Sequence, residues 1–421
     1  MNEKDIAYTS MSVAIVGWWA AGMICAATLL ESGYTDEILL FDKNPFLGAK
    51  VIISGWGRCN VTTWYYKKQD LQTKYPHGRS FLQHSIARFG PRKIRQRFED
   101  HGVPLKQEDD MRVFPMSDNG HDIVWAFENL FVSYDNMKVL CSTRVTSLSQ
   151  HAWWWFCIHT SSWEYIVDKV VLTTWWNAYR HTGSTGDWYA FAQSFGHTIT
   201  PLWPSLTSFE TENSLFHTLS WIALPESQII INPQLSCVWP VLFTHFWITG
   251  PMIFAFSAHI AHQSLTKSAP YQIKLIPDTQ KRYDQRLYLL REAVQKEPHK
   301  QINTFLRSYF PRRLVDVALE HADLPAELAF KYTTKEILVQ LAQLFGNGIP
   351  LTLIARRNDD EFVTSWGVSL EQVDPSTMES KCCPWLYFWG EILDIDGVTW
   401  WYNLTASWAT GAVAGEAAGG G

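Results

Sequence analysis

The sequence predicts an α/β fold, and three observations near its start support this class. The apolar run Val13–Val16 predicts a buried strand, and Gly17 follows it at a tight turn. An apolar segment typical of a helix begins near Ala20, and a second apolar run, Ile38–Phe41, ends at Asp42. An acidic residue about 20 positions beyond a glycine turn is the spacing of a dinucleotide-binding unit. We therefore predict a Rossmann-like domain at the start of the chain.

The glycine pattern of this turn is altered. In a G-x-G-x-x-G turn, the middle glycine lets the backbone approach a pyrophosphate, but Trp19 stands there with Trp18 beside it. Tryptophan is also abundant elsewhere, with 22 residues in the chain. Two interpretations remain open. The rings stack on a base or a flavin, or they are substitutions on a framework that suits small residues.

Composition limits the class of protein. A chain of 421 residues with 47% hydrophobic composition can bury a large core, and its length predicts two or three domains. The net charge of −6 gives no electrostatic case for binding nucleic acid, so we expect no nucleic-acid partner. Seven scattered cysteines without a C-x-x-C pair suit a reducing compartment, which predicts a cytoplasmic protein.

A run of uncharged residues from Met11 to Leu30 has to be weighed as a membrane span. Gly17 and Gly22 interrupt the run, and another strand ending in an acid follows it. We therefore expect no membrane association, and a protein attached to a membrane through this run remains an alternative.

The rest of the chain alternates between helical and β-type patterns. Apolar spacing predicts amphipathic helices within 80–102 and a helix over 122–132, and alternation predicts strands over 138–172. The composition of 197–273 predicts a mostly β segment. Helical periodicity returns over 282–296, 300–309, 311–321 and 334–345, and a final helix is predicted from 403 to about 418.

Four motifs in this order resemble a known family. They are SGWGRCN at 54–60, HTGSTGD at 181–187, LFTHFWITGP at 242–251 and the segment from GEILDIDG at 390–397 to Asn403. Each motif is weak alone, because glycine-rich turns are common. Together they cover nearly the whole chain and resemble the BaiN-like, or aminoacetone oxidase-like, NAD(P)/FAD-dependent flavoproteins.

The resemblance implies the complete architecture. It predicts a Rossmann-like FAD-binding domain with an inserted β-rich domain and a small helical subdomain. We place the FAD-binding domain at 1–195 and 365–421, the β-rich domain at 196–277 and 346–364, and the helical subdomain at 278–345.

The resemblance also implies where FAD binds. The pyrophosphate would lie at the turn 17–22, because free N–H groups at a helix N-terminus favour an anion. Asp42 would accept hydrogen bonds from the adenosine ribose, and the backbone of Val145 would meet the adenine. Lys50, the 54–60 segment and the tail would surround the flavin. The implied cofactor-binding residues are Gly17, Trp18, Trp19, Ala20, Ala21, Gly22, Asp42, Lys43, Lys50, Ser54, Gly55, Gly57, Arg58, Cys59, Asn60, Val145, Thr174, Trp175, Gly390, Glu391, Asp394 and Asn403.

Several of these residues have a plainer alternative. Asp42 also suits a solvated acid at the end of a strand, Glu391 a charge at the end of a strand or helix, and Val145 an ordinary strand residue. Arg58 also suits a surface ion pair, and Cys59 suits a buried apolar residue better than a redox thiol, because no resolving cysteine lies nearby.

Tryptophan occupies several positions at which this family has glycine, and one at which it has a small residue. The glycine positions are 19, 56, 175, 176, 400 and 401, and the small-residue position is 389. We therefore expect a flavin affinity below that of an intact relative.

The implied reaction is hydride transfer between a small-molecule substrate or NAD(P)H and the flavin. No catalytic acid or base can be assigned. His245 suits substrate protonation, with a packed loop histidine as the alternative. No metal site is predicted, because no carboxylate follows His259 and His262 at a suitable spacing. The sequence gives no oligomeric state. The alternative function is a cofactor-free scaffold or binding protein on a flavoprotein fold.

Overall fold

The structure is a computed structural model that describes residues 11–65, 67–151, 155–173, 187–201, 203–232, 235–357, 363–365 and 367–420. Two predicted site residues, Thr174 and Trp175, lie outside the described residues, as does most of the 181–187 motif.

The strands and helices follow one another in mixed order along the chain. The strands are β1 (Val13–Val16), β2 (Ile38–Phe41), β3 (Thr62–Thr63), β4 (Leu105–Gln107), β5 (Arg112–Pro115), β6 (Met137–Leu140), β7 (Val145–His151), β8 (Trp155–Thr160), β9 (Glu164–Val167), β10 (Lys169–Leu172), β11 (Trp203–Ser205), β12 (Phe209–Thr211), β13 (Ala223–Asn232), β14 (Leu235–Phe243), β15 (Trp247–Thr249), β16 (Tyr271–Ile276), β17 (Ile349–Arg356), β18 (Val363–Ser365) and β19 (Leu386–Phe388). The helices are α1 (Ala20–Glu31), α2 (Ala49–Ile53), α3 (Lys68–Gln72), α4 (Arg79–Arg88), α5 (Pro91–Asp100), α6 (His121–Val132), α7 (Asp187–Ser194), α8 (Pro251–His259), α9 (Tyr283–Lys296), α10 (Ile302–Leu306), α11 (Arg312–His321), α12 (Lys335–Gly346) and α13 (Trp400–Ala418).

The chain divides into two compact units. The first consists of 1–203 and 363–421, and the second is 204–362. The second unit therefore combines the predicted β-rich domain and the predicted helical subdomain. The described part of the chain contains no helix that combines the length and the apolar character needed to cross a bilayer. The uncharged run from Met11 to Leu30 instead folds into β1, a turn and α1.

A five-stranded parallel sheet in the order β19-β10-β1-β2-β6 organises the first unit. Every residue of β1, β2 and β10 is buried, which explains why these strands read as continuous apolar runs rather than alternating ones. β1, α1 and β2 form two neighbouring parallel strands joined by a helix, as the sequence predicts. The Rossmann-like fold class is confirmed.

Small residues let α13 pack closely against α1. A Cβ on Gly415 would lie only 2.9 Å from the carbonyl oxygen of Cys25, so this contact needs glycine. The predicted start of this helix at Asn403 is wrong, because α13 begins at Trp400 with Thr399 as its N-cap. Trp400 and Trp401 therefore belong to the first turn of the helix and not to the segment before it.

The second unit is built on a closed barrel of strands in the order β12-β15-β14-β13-β16-β17. This barrel is the predicted β-rich insertion. The helices α9 to α12 match the four stretches of helical periodicity. α8 is a buried helix inside the segment predicted to be mostly β.

Candidate functional site

The turn between β1 and α1 leads directly into the N-terminus of α1. Gly17 has φ = 102°, a conformation that L side chains rarely adopt. The Thr173 hydroxyl fixes the turn by donating to the carbonyl oxygens of Val16, at 3.0 Å, and Gly17. A Cβ on Gly22 would collide with the Gly17 carbonyl, so helix and turn can approach only with glycine there. Trp19 is the N-cap but makes no capping hydrogen bond with its side chain. The Trp19 side chain therefore does not cap the first N–H groups of α1.

The two tryptophans of the turn lie in different environments. The Trp18 ring is 1% exposed, and its Nε1 has no hydrogen-bond partner among the described residues. The Trp19 ring is half-buried and faces Lys50, whose Nζ lies 4.7 Å from the ring centroid. Trp18 therefore packs into the interior, whereas Trp19 lies beside the helix N-terminus.

Asp42, at the end of β2, is joined to the turn. Its Oδ2 accepts from the Trp18 N–H at 3.3 Å, and its Oδ1 accepts from the N–H and the side chain of Asn44 at 2.8 and 2.9 Å. Burial raises the pKa of the Asp42 carboxyl, and the hydrogen bonds from Asn44 and Trp18 oppose that change. These contacts do not fit the alternative of a solvated acid.

The segment before β7 runs beside Asp42. The N–H of Thr143 donates to the Asp42 carbonyl at 2.7 Å, and the N–H of Ser142 donates to the Asn44 carbonyl at 2.9 Å. Val145, two residues further on, is buried at the start of β7. The structure thus brings the predicted ribose and adenine residues to one edge of the sheet.

The tail also reaches the N-terminus of α1. Gly390 has φ = 67°, and a Cβ on it would lie 3.0 Å from the Ala21 Cβ. Its N–H donates to the hydroxyl of Thr410 in α13 at 3.0 Å. Gly390 is therefore held between the first turn of α1 and α13.

Lys50 and Glu391 are ionisable residues whose charges interact in this region. Burial lowers the pKa of Lys50 to about 5, and the Glu391 charge opposes that change. Burial raises the pKa of Glu391 to about 7, and the Lys50 charge opposes it. Lys43, another predicted site residue, lowers the Lys50 pKa further by like-charge repulsion.

Polar atoms without partners surround Glu391. Three buried side-chain atoms have no hydrogen-bond partner within the described residues. They are Oε2 of Glu391, Oδ1 of Asp394 and the hydroxyl oxygen of Tyr189. Burial raises the pKa of Asp394 to about 6, and it raises the Tyr189 pKa with a contribution from both carboxylates. Buried polar groups normally find partners, so this cluster can accept a polar ligand.

The 54–60 segment mainly supports its own loop. The Ser54 hydroxyl donates to the Val51 carbonyl at 2.8 Å, and burial raises the pKa of the Cys59 thiol to about 12. Asn60, with its amide nitrogen turned to donate, bonds the carbonyls of Thr62 and Val113 at 3.1 and 3.2 Å. The buried thiol fits the apolar alternative for Cys59.

Backbone strain marks the centre of the same loop. Gly55, Trp56 and Gly57 all have positive φ, at 57°, 64° and 86°. Glycine tolerates this conformation, but tryptophan does not. The Trp56 side chain is 98% exposed.

The structure fits the ion-pair alternative for Arg58. Its Nε donates to Asp118 at 2.8 Å, it pairs with Glu108, and its guanidinium carbon lies 4.0 Å from the centroid of the Phe114 ring. We therefore leave Arg58 out of the cofactor set that we propose below.

The predicted cofactor role of Asn403 is also not matched by its contacts. Its Oδ1 accepts from the Gly397 N–H at 2.9 Å, and its Nδ2 donates to the carbonyls of Gly397 and Thr399 at 3.2 Å each. Both amide protons are used, so Asn403 holds the loop at the start of α13.

His245 lies in a loop of the second unit. It is exposed, and its Nδ1 lies 3.2 Å from the hydroxyl of Ser220. This environment fits the alternative of a hydrogen-bonded loop histidine.

Sequence reasoning left two residues of the site out of the predicted set. Thr173 begins the loop after β10, a loop that the sequence suggests lies close to a ligand. Tyr189 lies in the short helix α7, where nothing in the local pattern separates it from a core residue.

Comparisons with known proteins identify a family whose model spans most of the chain. A family model described as HI0933-like protein Rossmann domain matches residues 11–417. The 3-dehydro-bile acid delta(4,6)-reductase of Clostridium scindens is 26% identical over 96% of this chain and 98% of its own length. The ribosomal RNA dihydrouridine synthase of Escherichia coli is 24% identical over 94% of this chain and 95% of its own length.

Among solved structures, a 3-ketosteroid delta1-dehydrogenase of Sterolibacterium denitrificans aligns with a TM-score of 0.49 at 10% identity, over 98% of this chain and 100% of that one. A likeness this distant carries no argument about function.

These matches confirm the resemblance to the BaiN-like family. They do not support the expectation that nucleic acid is excluded as a partner, because one relative is named for ribosomal RNA.

Proposed function

The chain belongs to the HI0933-like Rossmann domain family, and from this premise we propose that it is an FAD-dependent oxidoreductase. The observation that carries the proposal is the β1–turn–α1 unit, in which a helix N-terminus without a side-chain cap lies next to the carboxylate of Asp42. Free N–H groups suit a diphosphate, and a carboxylate suits a ribose. Relatives named as a reductase and as a dihydrouridine synthase favour redox chemistry.

The residues present fit FAD at most points. The first turn of α1 would hold the diphosphate, Asp42 the adenosine ribose, and the 142–145 backbone the adenine. Glu391, Asp394 and Tyr189 supply buried polar atoms without partners for the ribityl and ring end of the cofactor. The point of misfit is Trp19, because its ring has to leave the helix N-terminus before a diphosphate can bind.

Bound FAD supplies hydride acceptance and donation, which no protein side chain provides. The chain contributes a proton reservoir beside it. With a pKa of about 7, Glu391 exchanges a proton near neutral pH, and Lys50, whose pKa burial lowers to about 5, is the weaker base of the two. These two residues would set the charge at the flavin end of the site.

The proposal includes a donor, a substrate class and a location. We propose NAD(P)H as the electron donor and a small unsaturated molecule as the acceptor, because one relative is named as a reductase of a bile acid. We place the protein in the cytoplasm, because its scattered cysteines suit a reducing compartment.

Reconstitution tests the proposal. The flavin-free chain is titrated with FAD, FMN and riboflavin, and flavin fluorescence is followed. We expect FAD to bind at least 10-fold more tightly than FMN, because only FAD carries the diphosphate and adenosine that the turn and Asp42 would contact. Equal affinities for the three flavins, or no binding of any by either the parent chain or the Trp19→Gly variant, would refute the proposed site.

The buried ring of Trp18 favours a second candidate function, a cofactor-free scaffold. An indole 1% exposed at the turn fills interior volume permanently. A purified chain that stays colourless and cannot be reconstituted, even after Trp19 is replaced by glycine, would support the scaffold.

A further inference from the structure

The antiparallel sheet β7-β8-β9 carries metal-ligating side chains on the face opposite to the buried residues of β8. Along β8, Phe156 and Ile158 are buried, whereas Cys157 and His159 are half-exposed and therefore lie on the opposite face. The register pairs His159 with Glu164 of β9. Sheet pairing thus brings a thiol, an imidazole and a carboxylate to one face.

The distances suit one ion. One ligand atom from each of Cys157, His159 and Glu164 lies within 4.8 Å of the other two, and Nδ1 of His159 is 3.0 Å from Oε1 of Glu164. Ligand atoms about 2.0 to 2.3 Å from a tetrahedral zinc ion lie roughly 3.3 to 3.6 Å apart. Side-chain rotation about single bonds can supply the difference, because all three groups are at least partly exposed.

We propose that Cys157, His159 and Glu164 form a zinc-binding site. Mixed sulfur, nitrogen and oxygen ligands suit Zn²⁺, whereas Mg²⁺ and Ca²⁺ prefer oxygen alone. The fourth position is open to water, because Ser149, the β7 partner of Cys157, is exposed and short.

Binding exchanges one proton for one metal bond. The Cys157 S–H bond breaks, a sulfur–zinc bond forms, and the proton passes to solvent without any change in oxidation state. Zinc binds the thiolate rather than the thiol, so the metal has to displace that proton.

Zinc would link β8 to β9 through His159 and Glu164, which face each other in the two strands. The sequence does not suggest this site, because Cys157, His159 and Glu164 match no standard zinc motif until the strand register is known. The site is independent of the proposed flavin chemistry.

Zinc competition against a chromophoric chelator tests the site on the full chain after chelator treatment. We expect one tight Zn²⁺ per chain, weakened at least 10-fold in Cys157→Ser and in His159→Gln. The matched control is Cys141→Ser, which removes an exposed cysteine outside the proposed site. This variant should bind zinc as the parent does. Unchanged affinity in both site variants would overturn the proposal.

Cobalt spectroscopy supplies an arm that needs no variant. Co²⁺ added to the parent chain should give a thiolate-to-metal charge-transfer band in the difference spectrum, and zinc should abolish it. Cobalt binding without such a band would overturn the proposal, because Cys157 would then not be a ligand. A band that survives in Cys157→Ser would overturn it too, by assigning the metal to another cysteine.

Discussion

Replacing Trp19 by glycine should increase FAD affinity at least about 100-fold. Trp19 is the N-cap of α1, and its ring faces Lys50 rather than capping the helix. A diphosphate at this N-terminus would accept from at least two backbone N–H groups, and hydrogen bonds to charged groups contribute about 1.5 to 3 kcal/mol each. Two such bonds correspond to about 3 to 6 kcal/mol, and each 1.4 kcal/mol changes the affinity about tenfold.

Folding should change much less than binding in this variant. Glycine is a good N-cap residue, but it loses more backbone entropy on folding, and the packing of the Trp19 ring against Lys50 is lost. These contributions partly cancel, so we expect the free energy of unfolding to change by about 1 kcal/mol or less.

The assay is a fluorescence titration of flavin-free chain with FAD, together with the flavin content as purified. Trp163→Gly is the matched control, because it removes a tryptophan that is 72% exposed in the turn between β8 and β9. A Trp19→Gly variant that folds normally and binds FAD no better than the parent and the control would refute the argument about the helix N-terminus.

Four further changes test other parts of the account. Asp42→Asn should weaken FAD binding at least about 10-fold and leave FMN binding unchanged, because only FAD has an adenosine ribose; equal losses would argue against the ribose contact. Gly22→Ala should cost about 1 to 3 kcal/mol of stability in urea unfolding, because the added methyl meets the Gly17 carbonyl; an unaltered midpoint would contradict the close approach. Folding raises the pKa of Glu391 from 4.5 to about 7, so the native state keeps this proton longer and parent stability should fall relative to Glu391→Gln as pH rises through that window; parallel pH profiles would be inconsistent with the buried acid. Arg58→Gln should lower stability by about 1 kcal/mol or less for each ion pair and leave FAD affinity unchanged, whereas a large loss of affinity would return Arg58 to the cofactor set.

The elements of the first unit could be predicted because burial marks their sequences directly. β1 and β2 are buried on both faces and therefore read as unbroken apolar runs. The start of α13 could not be predicted in the same way. Trp400 and Trp401 are not residues typical of a helix start. Asn403 is typical of an N-cap, but it lies inside the first turn of α13, and its side chain donates a hydrogen bond to the carbonyl of Thr399.

Long-range pairings explain most of what the sequence could not predict at the site. Arg58 is held by Glu108 and Asp118, which are 50 and 60 residues away in the chain. The interaction of Lys50 with Glu391 joins the two ends of the chain. Only the resemblance to a family placed these segments together, because no periodicity or spacing encodes such a contact.

Crystal structures of the parent chain and of the Trp19→Gly variant with FAD would locate the diphosphate. We expect phosphate oxygens within hydrogen-bond distance of the first N–H groups of α1, with the adenosine ribose on Asp42. A diphosphate bound anywhere else on the chain, or a first turn of α1 that contacts only solvent while FAD is bound, would contradict this expectation.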